Sequence, residues 1–364
     1  MTKNLNIKRY PATENKSLQA WNASDEYILS YVNDHQLSDK RTVIFNDRFG
    51  FLGCHLSSSN AIQIINYKSE QKALQFNLKN NELVLNEGSI LFPLSELPSG
   101  IQLGIIKVPK SIELFEFYLS KLSKSINKDG VVLCGFMTKY FNKSMVSAAE
   151  TYFEEVEQSL AWKKSRILIL KKPKDIEGKN PIQSFSFSHS LTGDIEINQY
   201  PGVFSSKRID QATEFFLDHL GVTDNVDRIL DLASGNGILG ITAKTINPKS
   251  EITLVDDSFL AVESSRLNLN SENTHFKWKD TLEDFESEYF DLVISNPPFH
   301  FEFETNIEVS IFLFKEVYRC LKIGGRFRSV ASKHLNFKTH LDSLFSSTKI
   351  VAETTKFVVY ESVK

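Results

Sequence analysis

At 364 residues the chain is long for one core and comfortable for two domains. Its 42 Lys and Arg against 45 Asp and Glu leave a net charge of −3, which excludes nucleic-acid binding through overall charge, so any basic surface must be local. No apolar run approaches the ~18 residues that a membrane helix needs, and the opening MTKNLNIKRYPATENK has no signal-peptide core, so a soluble, cytoplasmic protein is expected. Cys54, Cys134 and Cys320 lie far apart beside apolar residues and read as buried free thiols, with no metal site and no disulfide.

Residues 17–33 carry Leu18, Trp21, Tyr27, Ile28, Tyr31 and Val32 at roughly helical spacing, and Ser24-Asp25-Glu26 offers a second place for a helix to begin. Strands are expected at Thr42 to Phe45, Ala61 to Tyr67, Leu103 to Val108, Gly130 to Phe136 and Ser165 to Leu170. A turn and helix start follow the first of these, and Ser111 to Leu122 has a helical apolar face. The charged, Pro- and Gly-bearing stretch 171–183 reads as an exposed linker. Beyond it, Ser184 to Ser188 and Asp194 to Asn198 form a hairpin around Gly193, and a helix runs through Asp210, Thr213 and Leu217. Strands follow at Arg228 to Leu232, Glu251 to Val255, Phe276 to Trp278, Leu292 to Ser295 and Arg326 to Ala331, with a closing hairpin at Lys349 to Ala352 and Lys356 to Glu361. Alternating strands and helices on both sides of the linker predict two tandem α/β, Rossmann-like domains, 1–170 and 184–364.

The halves resemble each other. RTVIFNDRFGFLG (41–53) parallels RILDLASGNGILG (228–240), and GIIKVPKS (104–111) parallels LVISNPPF (292–299). On this alignment Asp231 is matched by Ile44, Gly235 by Arg48 and Asn296 by Val108. The first half has therefore lost its chemistry and is read as a scaffold or an RNA-holding surface.

In the second half, Gly235 and Gly237 flank Asn236 in a strand-to-helix turn that lets a ligand approach backbone N–H groups. Asp256 ends the next strand, where an acid can accept two ribose hydroxyls. Asp280 ends the third strand and is placed to accept from an adenine amine; its bland alternative is an ordinary strand-end acid. After Leu292 to Ser295 come Asn296, Pro297, Pro298 and Phe299. Two prolines fix an extended exit from the sheet. They aim the Asn296 amide and the Pro297 carbonyl into the space beyond the strand, where open α/β sheets bind ligands. Asn-Pro-Pro-aromatic after a strand is a signature of methyltransferases acting on exocyclic or amide nitrogens, and it favours S-adenosylmethionine over a dinucleotide. Two fixed acceptors hold the amine's N–H donors and stabilise its growing positive charge, and Phe299 offers a face to the base. His300 reads as a solvated loop histidine. Basic groups that can meet phosphate are Lys107, Lys110, Lys163 and Lys164 beside Trp162, Lys207 with Arg208, and Arg326 with Arg328; solvated surface is the alternative for each cluster.

These residues resemble the ribosomal RNA guanine-N2 methyltransferases of the RsmC/RlmG group over nearly the whole chain. KRYPATENKSLQAWNASDEYIL (8–29), IIKVPKS, LAWKKSR, VFS (203–205), NPPFH and KFVV (356–359) carry the likeness, and the first of them is closer to the large-subunit branch than to the small-subunit one. The resemblance implies two methyltransferase-like domains, the first degenerate, with S-adenosylmethionine as donor and a guanine of 23S ribosomal RNA as target. It implies that Asp231, Ala233, Gly235, Asn236, Gly237, Asp256 and Asp280 line the cofactor, that Asn296, Pro297, Pro298 and Phe299 hold the guanine, and that a monomer is favoured. The chain departs from the family at Ala233-Ser234, where Gly-Cys is usual, and at Asp280, where Asn is frequent. The Ala233 Cβ near the methionine end of the cofactor predicts lower affinity. Competing readings are a 16S enzyme of the RsmC type, an adenine-N6 or protein-glutamine methyltransferase, and a silent RNA-binding assembly factor.

Overall fold

In the computed structural model the described residues are 5–364, apart from 14, 16, 60, 178, 179, 298, 299, 302, 303 and 306. The chain divides into two compact units, Met1–Asn180 and Pro181–Lys364. The first contains β1 (Thr42–Phe45), β2 (Ile62–Ile64), β3 (Ile90–Leu91), β4 (Ile101–Lys107), β5 (Ile126–Met137), β6 (Phe153–Gln158) and β7 (Ser165–Pro173). Its helices are α1 (Ala23–Asp34), α2 (Phe51–His55), α3 (Lys68–Asn80), α4 (Ile112–Ser125) and α5 (Lys143–Tyr152). The second opens with the hairpin β8 (Gln183–His189) and β9 (Gly193–Gln199) and continues with β10 (Arg228–Leu232), β11 (Glu251–Asp256), β12 (Thr274–Trp278) and β13 (Phe290–Ser295). The short pair β14 (His300–Phe301) and β15 (Glu304–Thr305) precedes β16 (Leu321–Ser332), β17 (Ser347–Glu353) and β18 (Phe357–Val363). Its helices are α6 (Gln211–Leu217), α7 (Ile238–Ile246), α8 (Phe259–Asn268), α9 (Glu308–Cys320) and α10 (Phe337–Asp342).

Each unit has a seven-stranded sheet, ordered β3-β2-β1-β4-β5-β7-β6 and β12-β11-β10-β13-β16-β18-β17. The two orders correspond strand for strand. In the second sheet six strands run in one direction, and β18 alone runs against them, between β16 and β17. Side chains alternate between its faces with the period of a strand. Ile229, Ile252, Leu292 and Ile294 join Phe216, Leu239 and Ala243 in one core. Leu230, Leu232, Val255 and Val293 join Leu313, Phe314 and Val317 in the other. Burial on both faces explains why these strands read as continuous apolar runs. Strand order reverses between β10 and β13, so the crevice beyond their carboxyl ends is the topological switch point, the ligand position of open α/β sheets.

The sheet register corrects one sequence alignment. Phe45 of β1 lies opposite Ile106, and Leu232 of β10 lies opposite Ser295. Lys107, and not Val108, therefore stands where the second unit has Asn296. The other matches hold. Asn46 and Ala233 both have φ 61, and Gly50 and Gly237 cap their helices at φ 74 and φ 85. Under each turn a buried carboxylate accepts a helix amide. Asp231 takes Gly240 N–H at 2.9 Å, and Asp47 takes Gly53 N–H at 2.7 Å. The first unit thus has no acid on β1 but has one three residues later. It also fills the ligand side of its turn: the Arg48 guanidinium lies 4.3 Å from the centre of the Tyr67 ring and donates to Ser69 Oγ at 2.7 Å. Ile65, 2% exposed, stands at the position of Asp256.

The stretch expected as linker begins as strand, because β7 runs through Lys171, Lys172 and Pro173. The amino-terminal helix starts at Ala23 with Asn22 as its cap; Asn22 Oδ1 accepts from Ser24 N–H, and Asp25 accepts from Asn22 N–H at 2.8 Å. This capping box selects the later of the two expected starts. The three cysteines are free and buried, and burial pushes the Cys54 thiol up to about 12 and the Cys320 thiol up to about 11. No described helix is long and apolar enough to cross a membrane.

Candidate active site

The site gathers at the ends of β10, β11 and β13. Ala233 and Ser234 N–H both donate to Val255 O, at 2.8 and 3.1 Å, which locks the turn onto the neighbouring strand. Gly235 has φ 58, and a Cβ built there would meet nothing within 4 Å. The turn therefore opens onto free space at Gly235, while a Cβ on Gly237 would press Ser265 Oγ at 3.1 Å. Asp231 is fully buried, and its Oδ1 has no hydrogen-bond partner among the described residues. Burial first, and then the nearby Asp256, push its carboxyl up to about 8 against the pull of Gly240 N–H. Asp256 accepts from Gly235 N–H at 2.9 Å and from Ser258 N–H at 2.8 Å. Each oxygen keeps a second lone pair for a ligand hydroxyl. Burial pushes this carboxyl up to about 6.

Asn236 is placed differently from the expectation. Its side chain turns inward, donating to Gln199 Oε1 at 2.9 Å and accepting from Ile238 N–H at 3.3 Å. It ties the hairpin to the glycine turn and presents no side-chain group to a ligand. Asp280 lies two residues beyond β12 and is half-buried; Lys279 N–H, just before it, donates to Asp256 O at 3.0 Å. Trp278 Nε1–H donates to Asp257 O at 2.7 Å, and its ring meets Phe259 edge-on.

Asn296 follows β13 directly. Its Nδ2 donates to Thr213 Oγ1 at 2.9 Å and to Asp210 Oδ2 at 3.2 Å. Asp210 caps α6 by accepting from Ala212 and Thr213 N–H, at 3.0 and 2.9 Å. Pro297 is buried. Pro298 and Phe299 lie outside the described residues, and the side chain of His300 is not described. Gln199, Asp210 and Thr213 were not singled out from the sequence as site residues. Asp210 has a local signal, a cap before an amphipathic run, but its link to Asn296 has none.

The basic residues divide. Lys107 Nζ sits 2.5 Å from Asp25 Oδ1, and that carboxylate is 1% exposed. The contact is an ion pair with poor hydrogen-bond alignment, since Asp25 Oδ1 meets no hydrogen-bond criterion. Lys107 is therefore corrected from a phosphate ligand to a structural cation, because its charge answers a buried carboxylate. Arg326 and Arg328 are likewise turned inward, onto Glu361 and onto the carbonyls of Gly221 and His219. Lys163 pairs with Glu26 at 3.0 Å and lies 4.4 Å from the Trp162 ring centre, with most of its side chain in solvent. Lys110, Lys164 and Lys207 are exposed. Phe204, three residues before Lys207, is 64% exposed.

Residues 1–175 match the family described as RLMG N-terminal domain, and residues 194–361 match the Methyltransferase small domain. Ribosomal RNA large subunit methyltransferase G of Pseudoalteromonas translucida is 35% identical over 100% of this chain and 96% of its own length. The protein of the same name from Vibrio vulnificus is 32% identical over 99% of this chain and 97% of its own. Among solved structures, a T. thermophilus 16S rRNA N2 methyltransferase (RsmC), in complex with AdoMet and guanosine, aligns with TM-score 0.73 at 17% identity, covering 89% of this chain and 88% of that one. At that identity it speaks for the fold. On the relatives' full-length similarity, the chain belongs to the ribosomal RNA large subunit methyltransferase G family.

Proposed function

We propose that the protein transfers a methyl group from S-adenosylmethionine to the exocyclic N2 of a guanine in 23S ribosomal RNA, in the cytoplasm, through the second unit. One observation carries the reading. The open Gly235 turn and the Asn296 amide end adjacent parallel strands at the switch point, with Leu232 in register with Ser295. A donor and an acceptor bound there share one crevice.

The residues present fit the cofactor. Gly235 leaves room for close approach, Asp231 Oδ1 is a buried acceptor without a partner, and Asp256 retains lone pairs at the strand end. When bound, S-adenosylmethionine supplies an electrophilic methyl on a sulfonium. Asp256 accepts the ribose hydroxyls. Asp231 holds the first turn of α7 and fixes the turn's shape. Asp280 is assigned to the adenine, and Ala233 and Gly237 to the walls of the turn. The guanine amine is conjugated and weakly nucleophilic. Asn296 Oδ1 and the Pro297 carbonyl accept its two N–H groups, which turns the nitrogen lone pair toward the methyl. The same acceptors stabilise the charge that grows on nitrogen as the bond forms. The cationic nitrogen then loses its proton to solvent without a specialised base. Phe299 is assigned to stacking on the base, which must leave its own stack to enter. Lys110, Lys163, Lys164 and Lys207 contribute phosphate contacts that hold the RNA without reading sequence.

The test is mass spectrometry of ribosomal RNA from cells with and without the gene, followed by transfer of labelled methyl by purified protein to each rRNA. N2-methylguanine missing from 23S rRNA in the deleted strain, and restored in vitro, is the expected result. Loss from 16S rRNA would move the target to the small subunit. Unchanged rRNA in both would remove the enzymatic reading.

A further inference from the structure

The contact between Asn296 and the first turn of α6 goes further than tethering a loop. Building on the proposed function, we propose that Asp210 and Thr213 are positioning residues that hold the Asn296 amide with its oxygen toward the methyl acceptor.

The orientation is forced by chemistry. An amide's oxygen and nitrogen are near-equal in shape, so neighbours must decide which is which. A carboxylate can only accept. The Asn296 atom 3.2 Å from Asp210 Oδ2 must therefore be Nδ2. Thr213 agrees: its hydroxyl donates to Asp210 Oδ2 at 2.7 Å, which leaves an oxygen lone pair to receive Asn296 Nδ2–H at 2.9 Å. Asp210 is itself immobilised by the N–H groups of Ala212 and Thr213. Asn296 Nδ2 thus has both of its acceptors side by side on α6, and the side-chain oxygen faces away from them. A carboxylate behind the amide also polarises it, which makes Oδ1 a stronger acceptor. When positive charge develops on the target nitrogen, Oδ1 and the carboxylate behind it lie in line to stabilise it.

The first unit provides an internal comparison. There the first turn of α1 meets the strand end at the corresponding place, but the pair is Asp25 with Lys107. The packing contact is kept while the oriented neutral acceptor is lost, together with the open glycine and the ribose acid. The Asp-Thr-Asn arrangement accompanies the intact cofactor turn.

Full-length Thr213→Val, Thr213→Ser and Asp210→Asn should be assayed with S-adenosylmethionine and 23S rRNA from cells lacking the gene. Thr213→Val keeps shape but removes the hydroxyl, and kcat should fall about 10- to 100-fold with cofactor Kd and melting temperature near wild type. Thr213→Ser should restore most of the turnover, and Asp210→Asn, which still caps the helix, should lower kcat as Thr213→Val does. In an Asn296→Ala background, Thr213→Val should add nothing, because its effect runs through the amide. Undiminished kcat in both Thr213→Val and Asp210→Asn, or an equal further loss in the Asn296→Ala background, would overturn the proposal. A readout independent of substrate separates its failure from failure of the rRNA assignment. The Asn296 side-chain amide protons, identified by their disappearance in Asn296→Ala, should exchange slowly with solvent in the wild type and quickly in Thr213→Val. A wild type that labels no rRNA but keeps this protection would sink the substrate and leave the orientation standing, whereas unprotected protons would sink the orientation.

Discussion

Cofactor affinity should titrate with Asp256. Burial raises this carboxyl from 3.8 to about 6, the amides of Ser258 and Gly235 pull it part of the way back, and Asp257 adds a push upward. Ribose hydroxyls donate more strongly to a carboxylate than to a neutral acid, so binding selects the ionised form. At pH 5, one unit below that value, about ten molecules in eleven hold the proton, and affinity should fall about tenfold, or ~1.4 kcal/mol. Above about pH 7 Asp256 should contribute no further change. Stability of the free protein runs the other way. Because the folded value lies above the unfolded one, this group's contribution is complete below about pH 4 and is lost as pH rises through about 6. Calorimetric titration at pH 5, 6, 7 and 8 measures the first trend and thermal melts without ligand measure the second. Asp256→Asn should bind weakly at pH 8 and show no slope between pH 5 and 7. Constant wild-type affinity across that range, or a slope that survives in Asp256→Asn, would refute the ribose assignment.

Asn296→Ala should lower methyl transfer by on the order of a hundredfold or more while leaving cofactor affinity near wild type; near-normal single-turnover rates would remove the residue from the reaction. Lys107→Ala leaves the Asp25 carboxylate buried without its cation, and chemical denaturation of the full chain should show a loss of roughly 3 kcal/mol, the low end for a broken buried pair; a loss in RNA affinity with unchanged stability would return Lys107 to the RNA-binding surface. Ala233→Gly exchanges left-handed alanine strain of about 1 kcal/mol for glycine's comparable entropy in the unfolded chain, so melting should barely move, while cofactor should bind more tightly; weaker binding would show that the methyl group packs usefully. Replacing Lys110, Lys163, Lys164 and Lys207 together by Ala should weaken RNA binding and flatten its dependence on salt, with calorimetric cofactor affinity unchanged; an identical salt slope would make these lysines plain surface.

Local pattern carried much of this fold. The buried strands were visible because parallel strands covered on both faces must be apolar throughout, and Asn-Pro-Pro after β13 marked the ligand end of the sheet. Two kinds of feature were not visible. Short or edge strands such as β3, with two residues, leave too little pattern to read. The amphipathic α9 does carry one, with Ser310, Leu313, Phe314, Val317 and Cys320 on its buried face. Pairings between distant residues are the other kind. Asp210 and Asn296 are 86 residues apart, and Lys107 and Asp25 meet because α1 packs on β5 and β7, next to β4. A lysine at a strand end reads as a phosphate contact or as solvated surface until the fold shows its counter-ion. Matching Val108 to Asn296 erred by one residue, which hydrophobic pattern cannot correct where both sequences leave the strand.

The Lys107–Asp25 pair also bears on how such a unit can change over generations. Restoring a neutral amide at 107 alone abandons a carboxylate that is 1% exposed, and neutralising residue 25 alone abandons the ammonium. Either single exchange passes through a less stable protein, and the Arg48 that fills the turn would remain in place after both. Exchanges toward the chemistry of the second unit are therefore disfavoured one at a time, whereas the outer surface can vary without disturbing the interior that holds the sheet.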